Sequence, residues 1–113
     1  MNSIFDITSA KWGNVSKKEC YDIAILPWGS TEPHNGHLPY CTDMLASQAI
    51  AFEVAEGVNS LGINAMVLPG IPLGSQNPGQ TELPFCIHAK QGTQFAVLRD
   101  IVDSLERDRK SVV

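Results

Sequence analysis

The sequence predicts an α/β domain on a mostly parallel sheet, and three observations carry that reading. The run IAILP ending at Pro27 is short, continuous and β-branched at two positions, as in a strand buried on both faces, and INAMVL over 63–68 reads as a second buried strand. An Ala-rich helical stretch lies between them, so strand, helix and strand follow one another within about 46 positions, as in a right-handed βαβ unit. A second amphipathic helix and the opening of a third apolar run come after them. With 113 residues and 43% hydrophobic content, the expectation is one small domain over 1–113.

Taken in order, residues 1–20 mix polar and apolar positions without a period, and Trp12 beside Gly13 reads as a segment lying on the domain. The first strand covers 22–27 and is ended by Pro27 and Gly29. Thr42 or Asp43 can cap the next element, a helix expected from Met44 to Leu61, with Leu45, Ala49, Ile50, Phe52, Val54 and Val58 apolar around much of its circumference. Such a helix is expected to be largely covered. Gly62 is its stop, and 63–68 form the second strand.

The stretch PGIPLGSQNPGQTELP then holds four of the seven prolines and is too broken for regular structure. In α/β folds, an irregular segment after the carboxyl end of a strand usually carries binding residues. Residues 85–88 read as a short strand. Thr93 can cap a helix reaching about Arg109, with Phe95, Leu98, Ile101, Val102 and Leu105 at helical spacing and Arg99, Asp103, Glu106 and Arg107 opposite. The final RKSVV reads as the opening of a third buried strand.

Composition narrows the partners. A net charge of −4 gives no basic face for a phosphate backbone or an anionic membrane, which leaves a small polar or neutral molecule. No run reaches the roughly 18 apolar residues of a membrane span, and the first residues lack a charged segment followed by an apolar one. Cys20, Cys41 and Cys86, an odd number at wide spacing, fit reduced thiols better than a disulfide framework. The expectation is a soluble, cytoplasmic protein.

The chemistry concentrates in 29–43, GSTEPHNGHLPYCTD. Glu32 and His34 are two apart and share one side of an extended segment, while Asp43 stands where the chain enters the helix. Mixed carboxylate and imidazole donors suit zinc, manganese or iron. Plainer readings stand beside these. Glu32 and His34 could be ordinary loop polarity, and Asp43 a helix cap favoured by the dipole. His37 could be bonded within the loop, Cys41 a small buried apolar residue, and His88 structural or solvated.

The motif resembles the signature of the creatinine amidohydrolase (creatininase) family, roughly G-S-x-E-Q-H-G-P-H-L-P-x-x-T-D. The match keeps Glu32, His34, His37, Leu38, Pro39, Thr42 and Asp43. Pro33, Asn35 and Gly36 replace the usual Gln, Gly and Pro, and Trp28 stands where a smaller apolar residue is frequent, changes that bear on substrate preference rather than on the ligands.

The resemblance implies a creatininase-like three-layer sandwich with two divalent ions, zinc foremost and manganese or iron as alternatives. Glu32 and His34 would each bind one ion and Asp43 would bridge them, leaving Thr42 to cap the helix. His37 would neighbour the ligands, with no further catalytic residue assigned. Gln80 and Glu82 fall where relatives place substrate-facing residues. The implied reaction is hydrolysis of a cyclic or linear amide of the creatinine type through a metal-activated water, in a homo-oligomer.

In full-length relatives, a strand and a Gly-His-Gly-Gly-Asn-like motif with a further histidine ligand follow the second helix, and a later acidic residue completes the site. This sequence stops just before that motif, so it is expected to be incomplete at the C-terminus, with its site finished by residues beyond this chain. The alternative is a non-catalytic partial domain or remnant that associates with another chain.

Overall fold

The computed structural model describes residues 5–16, 21–106 and 111–112. In chain order the elements are α1 (Trp12–Val15), β1 (Ile23–Ile25), α2 (Thr42–Ser60), β2 (Ala65–Val67), α3 (Gln91–Glu106) and β3 (Ser111–Val112). The strands pair in the order β2-β1-β3, all parallel, with Ile23 opposite Ala65 on one side and opposite Ser111 on the other. The predicted α/β class, the parallel sheet and the third strand are therefore present.

The strand order has a consequence for function. The chain moves from β1 to β2 in one direction, then returns past β1 to reach β3. Right-handed crossovers in opposite directions put α2 and α3 on opposite faces, which makes three layers and a switch point between β1 and β3. In open α/β sheets ligands bind outside the carboxyl ends of the strands at such a point. The outer edge of β2 is covered by the N-terminal segment, where Ile7 N–H donates to the Val67 carbonyl (3.0 Å) and Asp6 bridges Val67 in parallel.

The core is small and built of small residues. Ile25, Ala51, Ala55, Ala65 and Val67 form it, with Phe5, Ile23, Phe52 and Val58 packed around them. Alanines at Ala51 and Ala55 let α2 approach β2 closely, and Val67 beneath them is fully buried. Gly62 terminates α2 as expected, with φ 85 and its N–H on the Asn59 carbonyl (3.1 Å).

Several expectations need correction. α2 is only half covered: Leu45, Ile50, Val54 and Leu61 are exposed, and the sheet beside it has three strands among the described residues. Neither Thr42 nor Asp43 caps it. The N-cap position is Cys41 without a side-chain bond, Thr42 donates to the Pro39 carbonyl, and the Asp43 carboxylate turns toward the loop. α3 begins at Gln91, so Thr93 lies inside its first turn, and the extension toward Arg109 falls outside the described residues. Residues 85–88 are not a regular strand: Ile87 bridges Thr31 and His88 bridges Gly74, one residue each. Trp12, in α1, is exposed as the sequence suggested.

Phe85 is the outlier of this region. Its φ is 59, and it is 87% exposed. A left-handed backbone costs a side-chain-bearing residue about 1–2 kcal/mol, and nothing apolar in the described residues offsets it.

Candidate metal centre

β1 runs out at its carboxyl end into the motif loop, and several bonds clamp that loop to the segment after β2. Gly29 N–H donates to the Ile71 carbonyl (2.8 Å), the Trp28 indole N–H to Leu73 (2.7 Å) and the Thr31 hydroxyl to Pro72 (2.8 Å). From the other side, the Ser47 hydroxyl of α2 donates to the Trp28 carbonyl (3.1 Å). A Cβ on Gly29 would lie 2.2 Å from the Met44 nitrogen, so only glycine lets the loop pass the start of α2. Asn35, at φ 56, is a residue type that tolerates the left-handed region, and there the chain turns back so that Leu38 N–H reaches the His34 carbonyl (3.3 Å).

This clamped loop brings Glu32, His34 and Asp43 together, with one potential ligand atom of each within 4.8 Å of the others. His34 Nε2 is 3.3 Å from Asp43 Oδ1 and 3.9 Å from Glu32 Oε1. His34 Nδ1 lies 3.0 Å from the Glu32 carbonyl, which can only accept, so Nδ1 carries the proton. In neutral His34 the Nε2 lone pair then faces two carboxylates. That is repulsive unless a cation sits among them or Nε2 takes a proton.

The second response shows in the electrostatics. The bond to the Glu32 carbonyl, followed by the Asp43 and Glu32 charges, raises the His34 pKa above its ordinary value. The Ser30 hydroxyl, followed by Glu32 and His34, holds the Asp43 carboxyl below its ordinary range. The donor set, two carboxylates and one imidazole nitrogen with its tautomer fixed, fits a divalent metal of the zinc, manganese or iron kind. Glu32 and His34 are half-buried and Asp43 is exposed, so the group opens to one side.

Ser30 was not singled out in the sequence. Its hydroxyl is 2.9 Å from Asp43 Oδ2 and 3.1 Å from Glu32 Oε1, so its single proton stands between the two carboxylates. The signal was there: Ser30, Glu32 and His34 are each two apart, so an extended loop presents all three on one side. Gly74 makes room for it, since a Cβ there would come within 2.8 Å of Ser30 Cβ.

The other candidates stand apart. His37 is exposed, and among the described residues it makes no hydrogen bond to Glu32, His34 or Asp43. Cys41 is a half-buried free thiol 3.5 Å from the Thr31 hydroxyl and lies outside the ligand group, and Cys86 is also free. Cys20 falls outside the described residues. His88 is structural, its Nδ1 accepting the Gln76 N–H at 2.9 Å. Gln80 and Glu82 sit in the turns over 78–85 and do not join the group.

Fold and site together define an α/β protein with a candidate divalent-metal centre at the carboxyl ends of a parallel sheet. The family model described as creatinine amidohydrolase (creatininase) matches residues 8–113, and the chain belongs to that family. No curated protein sequence matches it significantly.

Among solved structures it is similar to a protein from Bacteroides fragilis NCTC 9343 assigned as a creatinine amidohydrolase, at 47% identity and a TM-score of 0.90, covering 99% of this chain and 45% of that one. A creatininase variant complexed with creatine shares the fold at 22% identity and a TM-score of 0.80, covering 96% and 42%. So does a creatininase variant of zinc-zinc type, at 24% identity and a TM-score of 0.75, covering 96% and 43%. The chain thus spans less than half the length of the structures it matches.

Proposed function

We propose that this chain carries the N-terminal part of a metal-dependent amidohydrolase centre acting on a cyclic or linear amide of the creatinine type. The observation that carries the reading is the convergence of Glu32, His34 and Asp43 around the inward-facing Nε2 of His34. A divalent metal, when bound there, supplies a Lewis acid that polarises an amide carbonyl and lowers the pKa of water toward neutrality.

In this proposal Glu32 and His34 each hold one ion and Asp43 spans the two. Ser30 and the Glu32 carbonyl orient the ligands, and His37 neighbours them without binding. Zinc is the first candidate ion, with manganese on equal support from similar creatininase structures of zinc-zinc and manganese type, and iron open by donor chemistry. Three side-chain donors leave two ions short of ligands, so residues beyond this chain complete the site. The proposed setting is cytoplasmic, and no described helix is long and apolar enough to cross a membrane.

A second reading has its own support. α3 buries none of its sixteen residues, and Ile50, Val54, Leu61 and Phe95 lie exposed, so the chain by itself is a partial domain with faces that require cover. Association with another copy, as a homo-oligomer, or with another chain would supply it. Sedimentation of the purified chain as a stably folded monomer would remove this reading.

Metal content separates the proposals. Elemental analysis of the purified chain beside Asp43→Ala is expected to find near-stoichiometric zinc, manganese or iron in the first and none in the second. Absence from both would sink the metal-centre reading for this chain. Ser30→Ala is expected to keep the metal but weaken its affinity by about tenfold, measured by competition with a chelator, because the two carboxylates lose the hydroxyl proton that stands between them.

A further inference from the structure

α3 buries none of its sixteen residues, and among the described residues Gln94 is the side chain of that helix that bonds outside it. Its amide nitrogen donates to the Ser75 hydroxyl (2.8 Å) and to the Ala89 carbonyl (3.1 Å), while the Ser75 hydroxyl donates in turn to the same carbonyl (3.0 Å). Both amide protons of Gln94 are used, the Ser75 oxygen gives and accepts, and the carbonyl of buried Ala89 receives two protons. The triangle is closed, and half-buried Gln94 supplies two of its three bonds.

From this triangle the contacts run to the ligand loop without a gap. Ala89 N–H donates to the Gly74 carbonyl (3.0 Å), which holds 74, 75 and 89 together. Gly74 lies flat against Ser30: a Cβ there would come within 2.8 Å of Ser30 Cβ and 3.2 Å of the Gly29 carbonyl, and glycine has no side chain to absorb a shift. Ser30 is itself buried, and its hydroxyl stands between Asp43 and Glu32. The Thr31 hydroxyl on the Pro72 carbonyl (2.8 Å) and the Ile87 N–H on the Thr31 carbonyl (3.0 Å) join the same three segments. Close packing of this kind transmits displacement, because it has little room to yield.

We infer that Gln94 is a positioning residue of the metal centre, acting through Ser75 and Gly74 on Ser30 and so on the spacing of the two carboxylates. The inference rests on the metal-centre reading and deepens it: the ligands sit on the loop after β1 and the start of α2, while the start of α3 sets their support. A bond that only anchored α3 would affect stability and leave metal affinity alone.

The test uses the full 113-residue chain, with zinc affinity measured by competition with a chelator and cobalt(II) as a substitute whose visible absorption reports ligand geometry. Gln94→Met, similar in length but without donors, is expected to weaken zinc binding about tenfold and to shift the cobalt bands. Ser75→Ala, at an exposed position that keeps the fold, is expected to do the same, and Ser75→Thr to return affinity to within about twofold of wild type. Gln94→Met and Ser75→Ala combined should lose no more than either alone, as members of one link. Ile101→Ala, on the same helix but outside the link, should stay within about twofold of wild type.

Wild-type affinity in folded Gln94→Met and Ser75→Ala, or an equal loss in Ile101→Ala, overturns the inference and leaves the metal centre standing. If the wild-type chain binds neither ion, the metal reading falls, and the backbone amide shifts of Ser30 and Glu32 by NMR decide the link on its own. Displaced in Gln94→Met and Ser75→Ala but not in Ile101→Ala, they uphold it; unmoved in all three, they overturn it.

Discussion

α3 has the cleaner amphipathic pattern of the two long helices, with Phe95, Leu98, Ile101, Val102 and Leu105 at helical spacing, and it buries nothing. α2 is apolar around much of its circumference, yet it buries Ala51 and Ala55 and anchors the core. The difference lies in the surfaces they meet. α2 lies along β2, where Ala65 and Val67 offer a flat, close-packed partner. α3 contacts β3, and an open cleft of about 380 Å³ lies between its Ile101 and Leu105 and the residues Leu26, Leu68 and Ile71. Helical periodicity therefore marks a face that requires cover, but not whether the same chain provides it.

If α2 and its flanking loop are the rigid half, the largest response should come from Gly29→Ala. The added methyl meets the Met44 backbone at the start of α2, and a loss of about 3 kcal/mol or more is expected by chemical denaturation. Little change would mean the loop is not pressed against the helix. Next, Val67→Ala should cost about 2 kcal/mol, as a fully buried side chain under α2 leaves a cavity.

Across the sheet, Ile101→Ala on α3 should cost under about 1 kcal/mol, since the residue is only partly covered. A loss equal to that of Val67→Ala would erase the distinction between the helices. The same variant measured in a longer or associated form should cost more, because the face is then covered.

The smallest effect expected is one of pH, confined to the α2 end. His34 has a raised pKa, so in metal-free protein its contribution is fully present below the ordinary histidine value of about 6.5 and is lost as pH rises through the raised value. Asp43 has a lowered pKa, so its contribution is present above the ordinary carboxylate range and is lost as pH falls through the lowered value. Thermal midpoints in chelator should therefore be highest between these limits, and zinc binding should weaken as acid protonates His34. Both groups are partly or largely exposed, so the shifts should be small. A His34→Gln variant with an unchanged profile above about pH 6 would refute the assignment.

Much of the site was legible because its residues lie close in sequence. The i, i+2 relation of Glu32 and His34 predicts their shared side, and the motif adds Asp43. What misled was local plausibility. Thr42 and Asp43 look like helix caps, but the Pro39 carbonyl captures the first, while Ser30 and His34 draw away the second. The 85–88 stretch looks like a strand, yet the only pairing it finds among the described residues is single bridges to Thr31 and Gly74.

The sequence by itself determined the α/β class, the order of strands and helices and the identity of the candidate ligands, since these follow from apolar periodicity and side-chain chemistry read locally. Only the tertiary structure decided that β1 lies between β2 and β3, that Ser30 stands between the two carboxylates, and that no residue of α3 is fully buried. Each depends on which distant segments meet, and meeting is governed by packing across the sheet, which no short window of sequence contains.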